Sequence, residues 1–330
     1  SRPGFSQRRN QPAQLIVKVR TKKALKTILP IALGLALVAY SYLITSPEDR
    51  SQIIKYIREA NPFWILLSLG IGFLSHLSRA IRWNYLLEPL GYQPRVRNNL
   101  LLVLSAYFAN LGIPRSGEVL RATGLSTYEG VPFQKGFGTI VTERVIDVIM
   151  LLLVILIALF SQTEIIAGYL EESGFGLGAS IGAILIGVGG LFILLALLKR
   201  SSNPFFLKIR ELLRGLLEGV MSIFHMKHKW AFIGHTLFIW TCYVGMFWVI
   251  KYTIPETISL NFGQLLVAFV AGAFAMSATN GGIGLYPIAV SKAIALFGIS
   301  SVSGDAFGWI MWIAQTLMVV LFGTISFLLL

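Results

Sequence analysis

Long apolar runs set the layout of this 330-residue chain. Runs at 27–45, 63–83, 137–160, 176–198, 230–250 and 306–329 each approach the roughly 20 residues that carry an α-helix across a hydrocarbon layer. Two further apolar stretches, 99–128 and 262–298, are interrupted. The first breaks at Gly112-Ile113-Pro114-Arg115-Ser116-Gly117 and the second at Thr279-Asn280-Gly281-Gly282-Ile283-Gly284. Clusters of Pro and Gly end helices, because Pro lacks an amide hydrogen and Gly lets the backbone turn. Each interrupted stretch is too long for one span, and its halves are short for two.

Composition turns this pattern into a fold class. With 55% hydrophobic residues, 13% charged residues and a mean hydropathy of +0.72, the chain has more apolar surface than a water-soluble domain can hide. The expectation is an all-α polytopic membrane protein. It has a basic cytoplasmic tail at 1–26 and a single transmembrane domain at 27–330. The one cysteine, Cys242, lies in an apolar run and predicts packing rather than a disulfide. The chain starts without Met. Its first apolar run lacks a small-residue cleavage site, so it reads as a span rather than a signal peptide.

The net charge of +13 is unevenly spread. Residues 1–26 hold eight Lys or Arg and no acid, and 199–229 hold seven against Glu211 and Glu218. No nucleic-acid-binding motif accompanies this charge, so basic flanks facing anionic lipid on the cytoplasmic side explain it better. The segment 199–229 alternates basic and apolar residues at near-helical spacing and predicts an amphipathic surface helix; a shorter one is expected at 48–60 on the outer side. If 99–136 crossed the membrane once, the acidic loop 162–175 would fall inside and the basic segment 199–229 outside, against the usual bias. A hairpin that enters from the cytoplasm over 99–128 and returns puts both on their expected sides. The same reasoning makes 262–298 a hairpin from outside, with both termini cytoplasmic.

The spacing repeats. From 63 to Pro114 is 51 residues and from 230 to Asn280 is 50; from break to next span is 23 and 26. Three spans plus a hairpin per half invert the second half relative to the first. The layout is therefore about six full spans and two re-entrant hairpins in an inverted repeat, about 27–160 and about 176–330. Broken helices meeting near the midplane mark the binding site in such transporters.

Charge inside these segments supplies the candidate chemistry, because intramembrane charge is retained where it has a partner, a wet cavity or a task. At the first break, Arg115 and Arg121 offer bidentate donors to phosphate. The helix start at Gly117 offers backbone amides, and Glu118 sits in the first turn. Glu143 and Asp147, four apart, share a helix face, with Arg144 to one side. His76, Arg79 and Arg82 come to the same layer from the span at 63–83. A structural salt-bridge network is the competing reading of Glu118, Arg79, Glu143 and Asp147. For Arg82 the favoured reading is a side chain that snorkels beside Trp83. At the second break Asn280, Gly281 and Gly282 give close backbone approach and neutral hydrogen bonds. Trp312, Gln315 and Thr316 stand where the first half has Glu143, Ile146 and Asp147, so the charge is one-sided. Lys292 is expected to reach the outer surface.

The runs RAIRW (79–83), NLGIPRSGEVLRA (110–122) and GTIVTERVIDV (138–148) resemble the transmembrane region of the lysylphosphatidylglycerol synthase family, a group of flippase-like proteins, over roughly 60–330. That family usually carries Pro-Gly-Gly-(Ile/Leu)-Gly followed by a glutamate in its second half. Here the motif stands as Asn280-Gly281-Gly282-Ile283-Gly284, with Tyr286-Pro287 nearby. Bifunctional members append a soluble aminoacyl-transferase domain, and the resemblance therefore implies lipid translocation rather than lysyl-lipid synthesis for these 330 residues.

The expected function is a lipid flippase or scramblase for an anionic or aminoacylated phospholipid, or for a polyprenyl-linked lipid, in a bacterial or archaeal cytoplasmic membrane. Arg79, Arg115, Gly117, Glu118, Arg121, Asn280, Gly281 and Gly282 are its candidate substrate contacts. Glu143, Arg144 and Asp147 are the charge network or coupling groups. No Walker-type phosphate loop and no His-Glu-x-x-His spacing occurs, so neither bound ATP, a metal nor another cofactor is expected. The alternatives are a membrane-embedded lipid-phosphate transferase or hydrolase, in which the carboxylates do acid–base work, and an accessory subunit of a cell-envelope synthase that docks an envelope-biosynthesis partner. Membrane lipids are the expected partners and nucleic acid is not.

Overall fold

The computed structural model describes residues 32–162 and 226–330, with Asn203, Leu207 and Ile223 singly. The expected basic tail, the span at 176–198 and nearly all of the surface helix at 199–229 lie outside the described residues. The described chain is helical: α1 (Ala32–Ile44), α2 (Pro47–Glu59), α3 (Pro62–Leu87), α4 (Val96–Gly112), α5 (Ser116–Glu129), α6 (Phe133–Ser161), α7 (Lys229–Ile250), α8 (Phe262–Ala278), α9 (Leu285–Ala295) and α10 (Ser301–Leu329). Four helical stretches, starting at Pro62, Phe133, Lys229 and Ser301, are long and apolar enough to cross a membrane. Their outward faces are apolar as well. On α6, Leu152, Leu156 and Phe160 are exposed, which suits hydrocarbon and not water as the surrounding solvent. The protein is a multi-pass membrane protein.

Local sequence sets the helix starts. Ser46 caps α2 by accepting from the Asp49 amide at 3.0 Å, and Pro47 follows at the first helical position. Asn61 caps α3 ahead of Pro62, and Asn261 with Gln264 forms a reciprocal capping box on α8. At the start of α10, Glu256 accepts from the amide and hydroxyl of Ser300 at 2.7 and 2.6 Å. Burial pushes the Glu256 carboxyl up, but the hydrogen bonds from Ser300 and Ser303 outweigh it and hold the group below its ordinary value.

Both interrupted stretches fold as antiparallel helix pairs. Along α5, Gly117 packs against Ala106 and Gly124 against Leu102, so α5 runs back along α4. In the second half Gly282 lies against Met276 and Tyr286, and Gly272 against Tyr286 and Val290. Helices α3 and α7 also run antiparallel: the Ser68 hydroxyl reaches Met246 O at 3.4 Å near one end, and Ser78 Oγ lies 2.8 Å from His235 Nδ1 nearer the other.

Elements of the two halves exchange neighbours. Helix α6 packs on α5, the return arm of its own pair, and on α8, the first arm of the other. Helix α10 packs on α9 and on α4 in the same way. Gly263 at the start of α8 meets Ser161 at the end of α6; Gly323 near the end of α10 meets Leu104 and Phe108 of α4. Two large apolar cores form. One is built around Trp83, Leu102, Leu125 and Ile140, the other around Phe247, Ile294, Phe307 and Met311. Each draws residues from both halves: Phe232 joins the first and Ile53 the second.

Candidate functional site

The two breaks touch. The Asn280 side-chain amide donates to Leu111 O, and Gly281 approaches Leu111 so closely that an added Cβ would lie 2.9 Å from its Cδ2. The breaks also share a conformation. Arg115 has φ 64° and ψ 13°, and Gly281, its counterpart when Pro114 is aligned with Asn280, has φ 62° and ψ 21°. Among the described residues Arg115 is the only non-glycine with positive φ. The left-handed region costs an L-residue roughly 1–2 kcal/mol, and the second half meets the same demand with Gly.

Packing at the first tip explains another glycine. An added Cβ at Gly117 would lie 2.3 Å from the Ala106 carbonyl oxygen and 2.8 Å from its carbon, both fixed backbone atoms. The Gly117 amide, expected to be open for an anion, instead donates to Asn110 Oδ1 at 2.7 Å. Gly117→Ala is therefore expected to push α4 and α5 apart and cost roughly 1–3 kcal/mol. A melting temperature in detergent equal to wild type would contradict this close packing.

Beyond the first tip lies a buried charge network. Glu143 is fully buried and receives Arg121 in a two-pronged contact, with Nη2 to Oε2 at 3.0 Å and Nη1 to Oε1 at 3.2 Å. It also accepts from Arg79. Arg79 continues to Asp147 at 2.9 Å and to the Tyr243 hydroxyl at 3.0 Å. The expectation for Arg82 is overturned. It is fully buried and does not snorkel, donating to Thr236 at 3.0 Å and to Asp147 at 3.3 Å. The reason is helical geometry: Arg79 and Arg82 are three apart on one face of α3, and that face meets the Glu143/Asp147 face of α6. Arg121 also stacks over Trp83 at 4.1 Å, while the Trp83 indole donates to Thr139 at 2.9 Å.

The network reaches solvent at one edge. Arg144, 40% exposed, pairs with Glu118 at 3.1 Å and approaches Asp147 at 3.6 Å. Arg79, Arg82, Arg121 and Arg144 thus face three carboxylates, Glu118, Glu143 and Asp147, which leaves one positive charge in excess. Arg115 stands apart from this set: it is exposed, and among the described residues no carboxylate lies within ion-pair distance of it.

Between the tips and the network lies a cavity of about 240 Å³. His76, Tyr107 and Tyr243 line its charged side, and Gly281, Tyr286 and Gln315 its other side. The rings of His76 and Tyr107 meet at 4.6 Å, tilted by 58°, and buried His76 Nδ1 has no hydrogen-bond partner among the described residues. Of the residues expected to contact substrate, Gly281 lines this cavity. Arg115, Glu118 and Arg121 do not, and Arg79 reaches it through Tyr243. Tyr243 is absent from the expected set, yet aligning 63 with 230 makes it the counterpart of His76. Trp312, the counterpart of Glu143, donates to Gly281 O at 2.8 Å and so fixes the second break without charge.

A helical membrane protein with two broken hairpins meeting beside a buried Arg–carboxylate network is the class defined here. Residues 27–323 match the family described as the lysylphosphatidylglycerol synthase TM region, and the chain belongs to it. A UPF0104 membrane protein of Methanocaldococcus jannaschii is 31% identical over 158 residues, 47% of this chain and 43% of the relative. The glycosyltransferase AglD of Haloferax volcanii is 26% identical over 137 residues, 41% of this chain and 22% of the relative. A UPF0104 membrane protein of Methanothermobacter thermautotrophicus is 26% identical over 117 residues, 35% of this chain and 33% of the relative. The matches span less than half the length of each of these relatives. No solved structure matches the chain.

Proposed function

We propose that the chain moves the phosphate-bearing headgroup of a membrane lipid across the bilayer, through the centre where the two hairpins meet. The observation that carries this reading is the contact of two broken helices of equivalent backbone conformation beside a cavity and a charge network with a net positive charge. Backbone that is neither helix nor sheet is tolerated at membrane depth only when protein covers it or a cavity wets it. Helix α4, with 17 residues, is about 25 Å long at 1.5 Å per residue, and α9, with 11, about 16 Å. Both fall short of the roughly 30 Å hydrocarbon core, which supports re-entrant pairs over full crossings.

In this reading Arg115 meets the phosphate first. The Glu118–Arg144 pair at the solvent-reached edge exchanges partners with it, and Arg79, Glu143, Arg121 and Asp147 hold α3, α5 and α6 in register. Reconstituted protein is expected to carry labelled phospholipid or polyprenyl phosphate between leaflets. Glu118→Gln is expected to slow this severalfold while leaving the protein folded, since Arg144 is 40% exposed and keeps Asp147 at 3.6 Å when its pair with Glu118 is weakened. Folded wild-type protein that moves none of these lipids would sink the reading. A second reading, a membrane-embedded transferase, draws on the relative named as a glycosyltransferase; chemical change of the lipid headgroup by purified protein would favour it.

A further inference from the structure

A second, larger hollow lies far from the network. It measures about 900 Å³ and is bounded by α1, α2 and the beginning of α10. Its position is fixed by α10, which is 29 residues and so about 43 Å long. Asp305 and Trp309, near the start of α10, line the hollow. Leu330, just past its end, packs into the core of Trp83 and Leu125, next to the charge network. Hollow and network therefore sit at opposite ends of one membrane-length helix. In the orientation that the basic flanks favour, the hollow belongs to the outer side.

Its lining is unlike that of the central cavity. Arg50, Lys55 and Arg58 of α2 all contribute, and none has a carboxylate within ion-pair distance among the described residues. Arg50 is half-buried and held in place. Its guanidinium lies 4.1 Å from the centre of the Tyr42 ring, with one weak contact to Ser46 O at 3.5 Å, so most of its donors remain unused. Arg58 is exposed on the same helix. The acidic members of the lining do not cancel these charges. Asp305 faces Ser291 and Lys292 of α9 and lies near Asp49 of α2, and Glu59 is exposed at the rim, so three lining cations stand against two lining carboxylates.

The hollow also leads inward. Val38 and Ser41 of α1 line it, and α1 presses Gly34 and Leu37 against Ile283 and Gly284 at the second break. Trp309 and Ile313 line it from α10, three residues before and one residue after Trp312, which donates to Gly281 O. The α1–α10 groove thus connects the helix that carries the free guanidiniums with the neutral break. Ile54 in its lining is exposed, as are Leu43 and Ile44 at the end of α1, apolar surface suited to acyl or prenyl tails.

We propose that this groove is a second lipid-headgroup site, in which Arg50 and Arg58 hold the anionic phosphate of a lipid while its tails lie along α1 and α10. As a station on a transport path it rests on the flippase reading; as a binding site it stands on the geometry of α2. Two guanidiniums with free forks suit a phosphate oxygen pair better than an isolated charge does. The site also gives the one-sided charge of the repeat a counterpart at the opposite surface.

The test is local photolabelling of the full chain in detergent micelles. A phosphatidic acid with a photoreactive group beside the phosphate is irradiated with the protein and the labelled peptides are mapped. Label is expected on peptides covering 41–58 and 305–313. It should fall at least about tenfold in Arg50→Ala/Arg58→Ala, a loss equivalent to that in affinity, and be largely retained in Arg50→Lys/Arg58→Lys. Excess dioctanoyl phosphatidic acid should compete, whereas dioctanoylglycerol (tails only) and inorganic phosphate (headgroup only) should not. Unchanged labelling in the double alanine variant, with the same melting temperature as wild type, overturns the site. Competition by inorganic phosphate at equal concentration overturns the lipid assignment and leaves a generic anion patch. Labelling that behaves as expected in a protein that moves no lipid in proteoliposomes would defeat the transport reading and keep the site.

Discussion

Replacing Glu143 with alanine is expected to destabilise the protein by about 3–5 kcal/mol, the usual cost of stranding buried charge. Glu143 has no exposed surface and is the shared acceptor of Arg79 and Arg121, with Arg82 at 3.7 Å. Without it Arg121 has no carboxylate within ion-pair distance, and its Nε already lacks a partner. Arg79 and Arg82 would then share Asp147 alone. The companion variant Arg121→Met/Glu143→Leu should recover most of the loss. It removes the stranded cation with its acceptor, and Arg79 keeps Asp147 and Tyr243 while Arg82 keeps Asp147 and Thr236. Thermal melts in one detergent would read both. A single variant that melts like wild type would show that the network does not hold these helices together. A stable double variant that moves no lipid would show that Glu143 and Arg121 serve more than assembly.

The parts of this fold that the sequence made legible are those that depend on composition over long windows. A continuous apolar run has one low-energy fate in hydrocarbon, so the spans at 63–83, 137–160, 230–250 and 306–329 appear close to their expected limits as α3, α6, α7 and α10. The breaks at Pro114 and Asn280 were legible for a similar reason, since Pro and Gly act on the backbone wherever they fall. The short helix expected at 48–60 appears as α2. The expectation of a repeat rests on spacing alone; in the structure α6 and α10 each pack on one arm of both helix pairs.

Pairing was much less legible. Which guanidinium meets which carboxylate depends on the rotation of three helices about their axes, and local sequence gave Arg82 a tryptophan neighbour that suggested an interface. Its spacing from Arg79 held the better signal. The Asn110 cap on Gly117 joins residues on two sides of a break, where helical periodicity gives no guidance. The same limit applies to the contact between Asn280 and Leu111, which spans the two halves. The groove beside α2 was invisible because it is made by three elements distant in sequence. Its cations, Arg50, Lys55 and Arg58, lie on the short helix expected at 48–60, where Glu48, Asp49 and Glu59 stand beside them in the sequence.

Arg115 separates stability from transport. Its backbone is left-handed, its side chain is exposed, and its counterpart in the second half is a glycine with nearly the same dihedral angles. Arg115→Gly is therefore expected to leave stability unchanged or raise it by up to about 1 kcal/mol, as relief of left-handed strain is partly offset by the freedom Gly adds to the unfolded chain. The same variant should lower the rate of lipid movement in proteoliposomes by at least about tenfold, because one charge-assisted hydrogen bond to phosphate is worth roughly 1.5–3 kcal/mol. A guanidinium exposed at the tip of a helix pair within a membrane protein is costly against hydrocarbon and is retained where water or a charged headgroup reaches it. If Arg115→Gly is more stable and transports normally, the arginine has no role at the tip and the headgroup path must lie elsewhere. If it is much less stable, the side chain contributes contacts that its exposure conceals. A stable variant that has lost transport would identify the strained arginine as the point where the chain gives up local stability to hold its substrate.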